Sequence, residues 1–231
     1  MSTTRIRTRL ARPAEPAEPK PDGRRARGDR TRQAVLECAV RIASVEGLEA
    51  MTLGHVAAES GVAKASIQTV FRTREELQVK TLDLAVVMVE TAIARRMRPR
   101  AGALARLREL ADAWFAVVDE GILPGGCLMT AAATEFRARP GILRDAVAAH
   151  RARWKALLLQ TARLAISEGS LPGDANADAL VLEIMALESA ANGPCVDRAD
   201  FELARKITKN LLRQAEVGQP ARGRRKGQPR N

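Results

Sequence analysis

The strongest constraint on this chain is the spacing of apolar residues and glycines between residues 31 and 77. Val35, Leu36, Ala39, Val40, Ile42 and Ala43 recur at three- and four-residue intervals, the pattern of a helix with one buried face. Asp29 stands where it can cap that helix. Gly47 suits the left-handed residue that closes one. Thr52 then caps a second helix, Leu53 to Glu59, with Leu53, Val56 and Ala57 on its inner side. Ser60-Gly61 makes a tight turn, and glycine accepts the positive φ that such a turn demands. A third helix runs from about Lys64 to Phe71, with Ile67, Val70 and Phe71 facing inward. Thr73, with Glu76 three residues on, is a capping box for a fourth helix. The spacing of Val56, Ala57, Gly61, Val62, Ile67 and Val70 favours a helix-turn-helix over a plain three-helix bundle, and that shape fits the DNA major groove.

The outer side of the third helix carries the chemistry for reading DNA. Gln68 offers a paired donor and acceptor that match the major-groove edge of adenine. Ser66 and Thr69 can bond a base edge or a phosphate, and the Thr69 methyl can lie against thymine. Ala65 is small enough for close approach. Lys64 and Arg72 flank the helix as phosphate ligands, with Arg30 and Arg32 at the start of the first helix.

These residues resemble the N-terminal domain of the TetR family of transcriptional regulators. The matching features are the Ala-rich first helix ending at Glu46-Gly47, Met51-Thr52, Val56-Ala57, Ser60-Gly61-Val62, Lys64, Phe71 and the run Arg74-Glu75-Glu76-Leu77. Further on, Gly125-Gly126-Cys127-Leu128, the run Glu135 to Pro140, Trp154 and the turn Glu168-Gly169-Ser170-Leu171 resemble the effector domains of one subgroup. The resemblance implies a homodimer joined through the last two long helices. It also implies an apolar effector pocket in the C-terminal domain and a connecting helix whose tilt the effector changes. The departures sit on the reading helix. Ala63 replaces the usual capping serine, a loss of roughly 1 kcal/mol. Gln68 stands where the family usually has tyrosine, and Thr69 where histidine is common. Family rules for base contacts therefore do not carry over to these positions.

Composition is consistent with an all-α chain: aromatic residues are 3% and strand-like alternation is absent. At 231 residues it can hold one large core or two modest ones. The three cysteines, Cys38, Cys127 and Cys195, are odd in number and widely spaced, and His55 and His150 are the only histidines. Neither a disulfide framework nor a metal site is expected, and no cofactor. Each cysteine reads first as a small buried residue, with redox sensing at Cys127 as the alternative. The Arg-rich start lacks the apolar core of a signal peptide, and the apolar stretch Leu84 to Ala94 is too short to span a bilayer. A cytoplasmic protein without a membrane partner is the expectation.

The net charge of +11 is concentrated at the ends. Residues 1–28 hold eight basic and three acidic side chains, and residues 218–231 hold five basic and none acidic. The 189 residues between them carry +1. Both ends are expected to be disordered. The first is either an arm that follows the minor groove or a solvated leader. The expected organisation is residues 29–77 for DNA reading and 78–217 for effector binding and dimerisation. A connecting helix runs from Arg74 to about Met97. Helices then cover about Leu104–Glu120, Cys127–Ala138, a long stretch to Glu168 with Pro140 in its first turn, Ala177–Ala191 and Asp197–Gln214.

Trp114, Phe115, Cys127, Met129, Phe136, Trp154, Leu158 and Met185 are candidates for lining the effector pocket. His150, Arg151 and Arg153 either place polar groups near it or face water. The expected function is a ligand-responsive repressor that binds a palindromic double-stranded operator as a homodimer and carries no catalytic residues. The competing readings are an architectural DNA-binding protein acting through its basic tails, and a helical enzyme using Cys127 or a serine as nucleophile with His150 as base.

Overall fold

The computed structural model describes residues 23–99, 101–193 and 195–217, and within them every regular element is a helix. These are α1 (Gly23–Glu46), α2 (Leu53–Ser60), α3 (Lys64–Val70), α4 (Arg74–Ala94), α5 (Ala103–Asp119), α6 (Leu128–Glu135), α7 (Ile142–Ser167), α8 (Ala177–Ala191) and α9 (Arg198–Val217). The all-α class expected from the sequence is the class observed. The expected character of residues 1–22 and 218–231 lies outside the described residues.

Local signals explain most of the boundaries. The Thr52 hydroxyl accepts from the His55 amide at 3.1 Å and starts α2. Gly61, at φ 68°, ends it in the left-handed region. The Thr73 hydroxyl accepts from the Glu76 amide at 3.0 Å, while the Glu76 carboxylate reaches back to the Arg72 amide at the same distance. Asn176 and Asp197 cap α8 and α9 in the same way.

Three expectations need correction. The first helix begins at Gly23, so Asp29 lies inside it and caps nothing. Arg and Ala are strong helix formers, and extending an existing helix adds a hydrogen bond for each residue fixed. The sixth helix stops at Glu135, three residues short of Ala138, where Phe136 leaves helical geometry and turns into the core. Pro140 precedes α7 rather than sitting in its first turn, because Gly141 takes the N-cap position.

Two apolar cores hold the molecule. One gathers α1, α2, α3 and the first half of α4, with Leu48, Met51, Val56, Ile67, Phe71 and Leu77 fully buried. Each such side chain contributes on the order of 1.5–3 kcal/mol through removal from water. This core does not end with the helix-turn-helix. Leu128 and Ala132 of α6, Phe136 just after it, and Leu143 and Val147 of α7 belong to it. The second core joins the end of α4 to α5, α7, α8 and α9 around Trp114, Phe115, Leu158 and Ile184. The helix α4 runs through both cores, and α6 starts at the boundary between them.

Candidate nucleic-acid interface and ligand cleft

The short helix α3 is held from behind. Ile67 and Phe71 have no exposed surface, whereas Lys64, Ala65, Ser66, Gln68, Thr69 and Arg72 are all exposed. Six of the eight candidate DNA-contacting residues thus share one open surface on and beside α3. Arg30 is exposed on α1. Ala63 makes no side-chain cap, as its residue type requires, and its carbonyl accepts from Ser66 at 2.8 Å instead.

Two of these residues have additional local partners. The Thr69 hydroxyl donates to the Ala65 carbonyl at 2.9 Å, so its lone pairs and methyl are what it offers outward. Arg32 is half-buried, with its guanidinium 4.7 Å from the centre of the Phe71 ring and Nη1 donating to the Val70 carbonyl at 3.3 Å. A cation at a helix C-terminus and over an aromatic face is favourable in both respects. Arg32 therefore fastens the end of α3 to α1. This positioning role was not apparent from a basic residue read as a phosphate ligand.

The loop that leads into α2 is tied to the rest of the molecule by polar groups. Glu135 Oε2 accepts from the Leu48 amide at 3.1 Å and Oε1 from the Glu49 amide at 2.6 Å. Gln78, buried on α4, donates to the Leu48 carbonyl at 2.6 Å. Arg74 donates through Nε to the Met51 carbonyl at 2.9 Å and through Nη2 to the Glu49 carbonyl. A β-carbon on Gly125, in the loop before α6, would stand 1.6 Å from the Ser44 carbonyl oxygen. Glycine is the residue that permits this approach.

A cleft lies where the two cores meet. Ala85, Val86, Leu123 and Leu128 bound it from one core, and Ile93, Trp114 and Cys127 from the other. Val89, Glu90, Met129, His150 and Trp154 complete it, around a cavity of about 30 Å³. Of the eight pocket candidates, Trp114, Cys127, Met129 and Trp154 are brought together here. The other four are elsewhere. Phe115 packs edge-on against Trp114 and Phe201, and Leu158 is fully buried in the second core. Phe136 closes the first core, and Met185 borders a separate groove between α7 and α8. The rotation of each helix about its axis decides this, and residue type does not encode it.

The polar rim is organised by α4 and α7. His150 Nε2 lies 2.9 Å from Asp83 Oδ1, and its Nδ1 lies 2.9 Å from Arg153 Nη2. Arg153 also reaches Glu90 at 3.4 Å. Of the three polar candidates on α7, His150 borders the cleft, Arg153 ties it to α4, and Arg151 lies along other grooves.

Behind the cleft wall stands Glu188 of α8, 4% exposed, which the sequence reading did not single out. Its Oε2 accepts from Trp154 Nε1 at 2.9 Å, and its Oε1 has no hydrogen-bond partner. Burial pushes this carboxyl up to about 8, against the opposing pull of the Trp154 hydrogen bond and the Arg151 charge. A signal was present in the sequence: Glu188 falls four residues after Ile184 and seven after Val181, on the apolar stripe of its helix. Cys127 is buried as well, with its amide donating to Asn192 Oδ1 at 2.7 Å. Desolvation raises its thiol, and hydrogen bonding with Thr130 only partly offsets this. A nucleophilic thiol needs the opposite shift.

Residues 103–199 match the family described as tetracyclin repressor-like, C-terminal domain. No curated protein matches the chain in sequence. Among solved structures, a TetR-family transcriptional regulator from Cytophaga hutchinsonii is 19% identical, with a TM-score of 0.73 over 84% of this chain and 98% of that one. A TetR transcriptional regulator from Chloroflexus aurantiacus is 23% identical, with a TM-score of 0.68 over 83% and 93%. AibR, solved in complex with isovaleryl coenzyme A and operator DNA, is 17% identical, with a TM-score of 0.62 over 78% and 97%. The C-terminal half thus matches a tetracyclin repressor-like domain, and the fold that runs through both cores is the fold of these solved regulators.

Proposed function

We propose that this protein is a ligand-responsive transcriptional repressor that binds a near-palindromic operator as a homodimer and has no enzymatic activity. The supporting observation is the contrast across α3: Ile67 and Phe71 are wholly buried while Gln68, Lys64, Ser66 and Thr69 are exposed. A rigidly backed helix with an amide, two hydroxyls and a cation on its open side suits the major groove. Arg30 and Arg72 add phosphate contacts. The two reading helices of a dimer would enter grooves roughly 34–36 Å apart, or a multiple of that.

Apolar side chains left uncovered on the last two helices support the dimer. Leu182 of α8 and Leu203 and Ile207 of α9 are exposed in the single chain. Pairing α8 and α9 with their copies as a four-helix interface would cover them. The cleft supports the response to a ligand. A molecule wedged at the meeting of the two cores bears on α4 and α6 at once and favours a geometry that fits DNA poorly. It shifts the balance only by its differential affinity for the two states.

Selection of bound sequences from random DNA tests this reading. The expected product is an inverted repeat, retained when residues 1–22 and 218–231 are removed. In the Gln68→Ala variant, preference is expected to relax at one base pair per half-site. Unselective binding that disappears with the two ends would instead identify a DNA-coating protein.

A further inference from the structure

We propose that the open groove between α6 and α7 is a binding site for an amphipathic organic anion, a free carboxylate carried on an apolar body. The inference goes beyond the repressor reading and does not depend on it. The groove shares no lining residue with the cleft between the two cores.

Its construction points to that ligand. Phe136 and Val147, buried in the first core, form the floor together with Ala133 and Ala148. Three guanidinium groups stand on the rim, Arg137 just after α6 and Arg144 and Arg151 on α7. Arg144 and Arg151 are two turns apart, with Val147 and Ala148 on the same helix face between them. No carboxylate lines the groove. Its volume is about 490 Å³, inside the range of small-molecule sites, roughly 300–1,000 Å³.

The charges are only partly neutralised by the protein. Arg144 meets Asp145 at 3.4 Å, and both are exposed. The Arg137 guanidinium has no partner among the described residues. Arg151 acts on the buried Glu188 through space but forms no ion pair. Like charges gathered over an apolar floor repel one another, and an anion relieves that repulsion. The planar fork of arginine matches a carboxylate in shape. Thr134 adds an exposed hydroxyl at the same rim.

Two other occupants fit less well. The groove adjoins Glu135, which clasps the loop after the C-terminal end of α1. Arg32, fastened to α3, precedes that end of α1 by a rise of roughly 21 Å, so the groove lies away from the reading helix. No residue of α8 or α9 lines it, so pairing of those helices leaves it open.

The test uses the full chain, with octanoate and octan-1-ol as charged and neutral probes of equal length and inorganic phosphate as the anion alone, titrated by calorimetry. Octanoate is expected to bind roughly tenfold more tightly than either of the others. Arg137→Gln and Arg144→Gln, both at exposed positions, are each expected to weaken octanoate roughly fivefold and to leave octan-1-ol within about twofold. Ala148→Trp fills the groove from an exposed helix position and is expected to abolish octanoate binding while melting close to the parent. Equal affinity of octanoate and octan-1-ol, absence of octanoate binding, or undiminished binding in Ala148→Trp overturns the assignment. So does a loss of affinity and of salt dependence on random duplex DNA in Arg137→Gln without octanoate, which would make the rim a phosphate-backbone contact. None of these outcomes bears on the sequence-selection experiment that tests the repressor reading.

Discussion

Glu135, the last residue of α6, takes the Leu48 amide on one carboxylate oxygen at 3.1 Å, across 87 positions of sequence. Its other oxygen takes the Glu49 amide. The opposite end of α6 carries Leu128 and Met129 of the cleft. One eight-residue helix therefore touches the cleft at its start and the entry to the helix-turn-helix at its end. This is a second link between the cores, beside α4. Glu135→Ala leaves two amides without their charged acceptor, a loss of roughly 1–3 kcal/mol. The melting temperature is expected to fall by several degrees, and operator affinity with it. Thermal denaturation and a DNA-binding isotherm measure the two effects.

Gly125 is the steric counterpart of that clasp. Its α-carbon lies so close to the Ser44 carbonyl that any side chain must push α1 and the α5–α6 loop apart. Gly125→Ala is expected to destabilise the fold by more than 1 kcal/mol, within the usual range for overpacking. Gly173, which has open space around it, serves as the control, and Gly173→Ala should melt close to the parent.

Arg32 should matter beyond its charge. Arg32→Lys keeps the charge but lacks the planar fork that lies over Phe71 and reaches the Val70 carbonyl. Loss of the stack and the hydrogen bond is expected to cost about 1–2 kcal/mol of stability and to weaken specific DNA binding more than non-specific binding. A lysine variant with unchanged stability and unchanged specificity ratio would leave Arg32 with no positioning role.

Glu188 imposes a pH dependence on stability. Its carboxyl is raised from 4.5 to about 8 in the folded chain, so between those values the native state holds a proton that the unfolded state has lost. Stability contributed by this group therefore declines as pH rises from about 4.5 towards 8, by an amount on the order of a few kcal/mol. Arg151 and Cys127 are the ionisable neighbours that act on it or respond to it. In Glu188→Gln the decline should disappear, giving a flatter profile of denaturation midpoint against pH. A variant profile that parallels the parent across this window contradicts the assignment.

Lys64 is exposed at the start of α3, where its ammonium suits a phosphate rather than a base edge. Lys64→Ala is expected to weaken binding to all DNA sequences alike. It should also reduce the slope of log affinity against log salt by about one for each reading helix engaged. Titrations at several salt concentrations, on selected and random duplexes, measure both.

The helices and the helix-turn-helix were legible in the sequence because their signals are local. Thr52, Gly61, Thr73 and the three- and four-residue apolar spacing act within a turn or two of chain. The same local logic put Gln68, Ser66 and Lys64 on the open side of α3, opposite Ile67. Asp29 misled because a good cap residue can also sit inside a helix when Arg and Ala continue it upstream.

Other features depended on how distant segments meet. Phe115 and Trp114 are adjacent in sequence, yet one is sealed against Phe201 and the other faces the cleft, because a step of one residue turns the side chain by about 100°. Glu135 meets Leu48, Arg32 meets Phe71, and Trp154 meets Glu188 across separations that carry no periodic signal. The sequence by itself determined which segments coil and which face of each coil avoids water, since helix formation and amphipathic burial are governed by neighbours three and four residues apart. Only the packed tertiary structure decided where the two cores meet, which side chains bound the gap between them, and which buried carboxyl oxygen is left without a partner. Those depend on the rotation and crossing of whole helices, which short-range preference does not set.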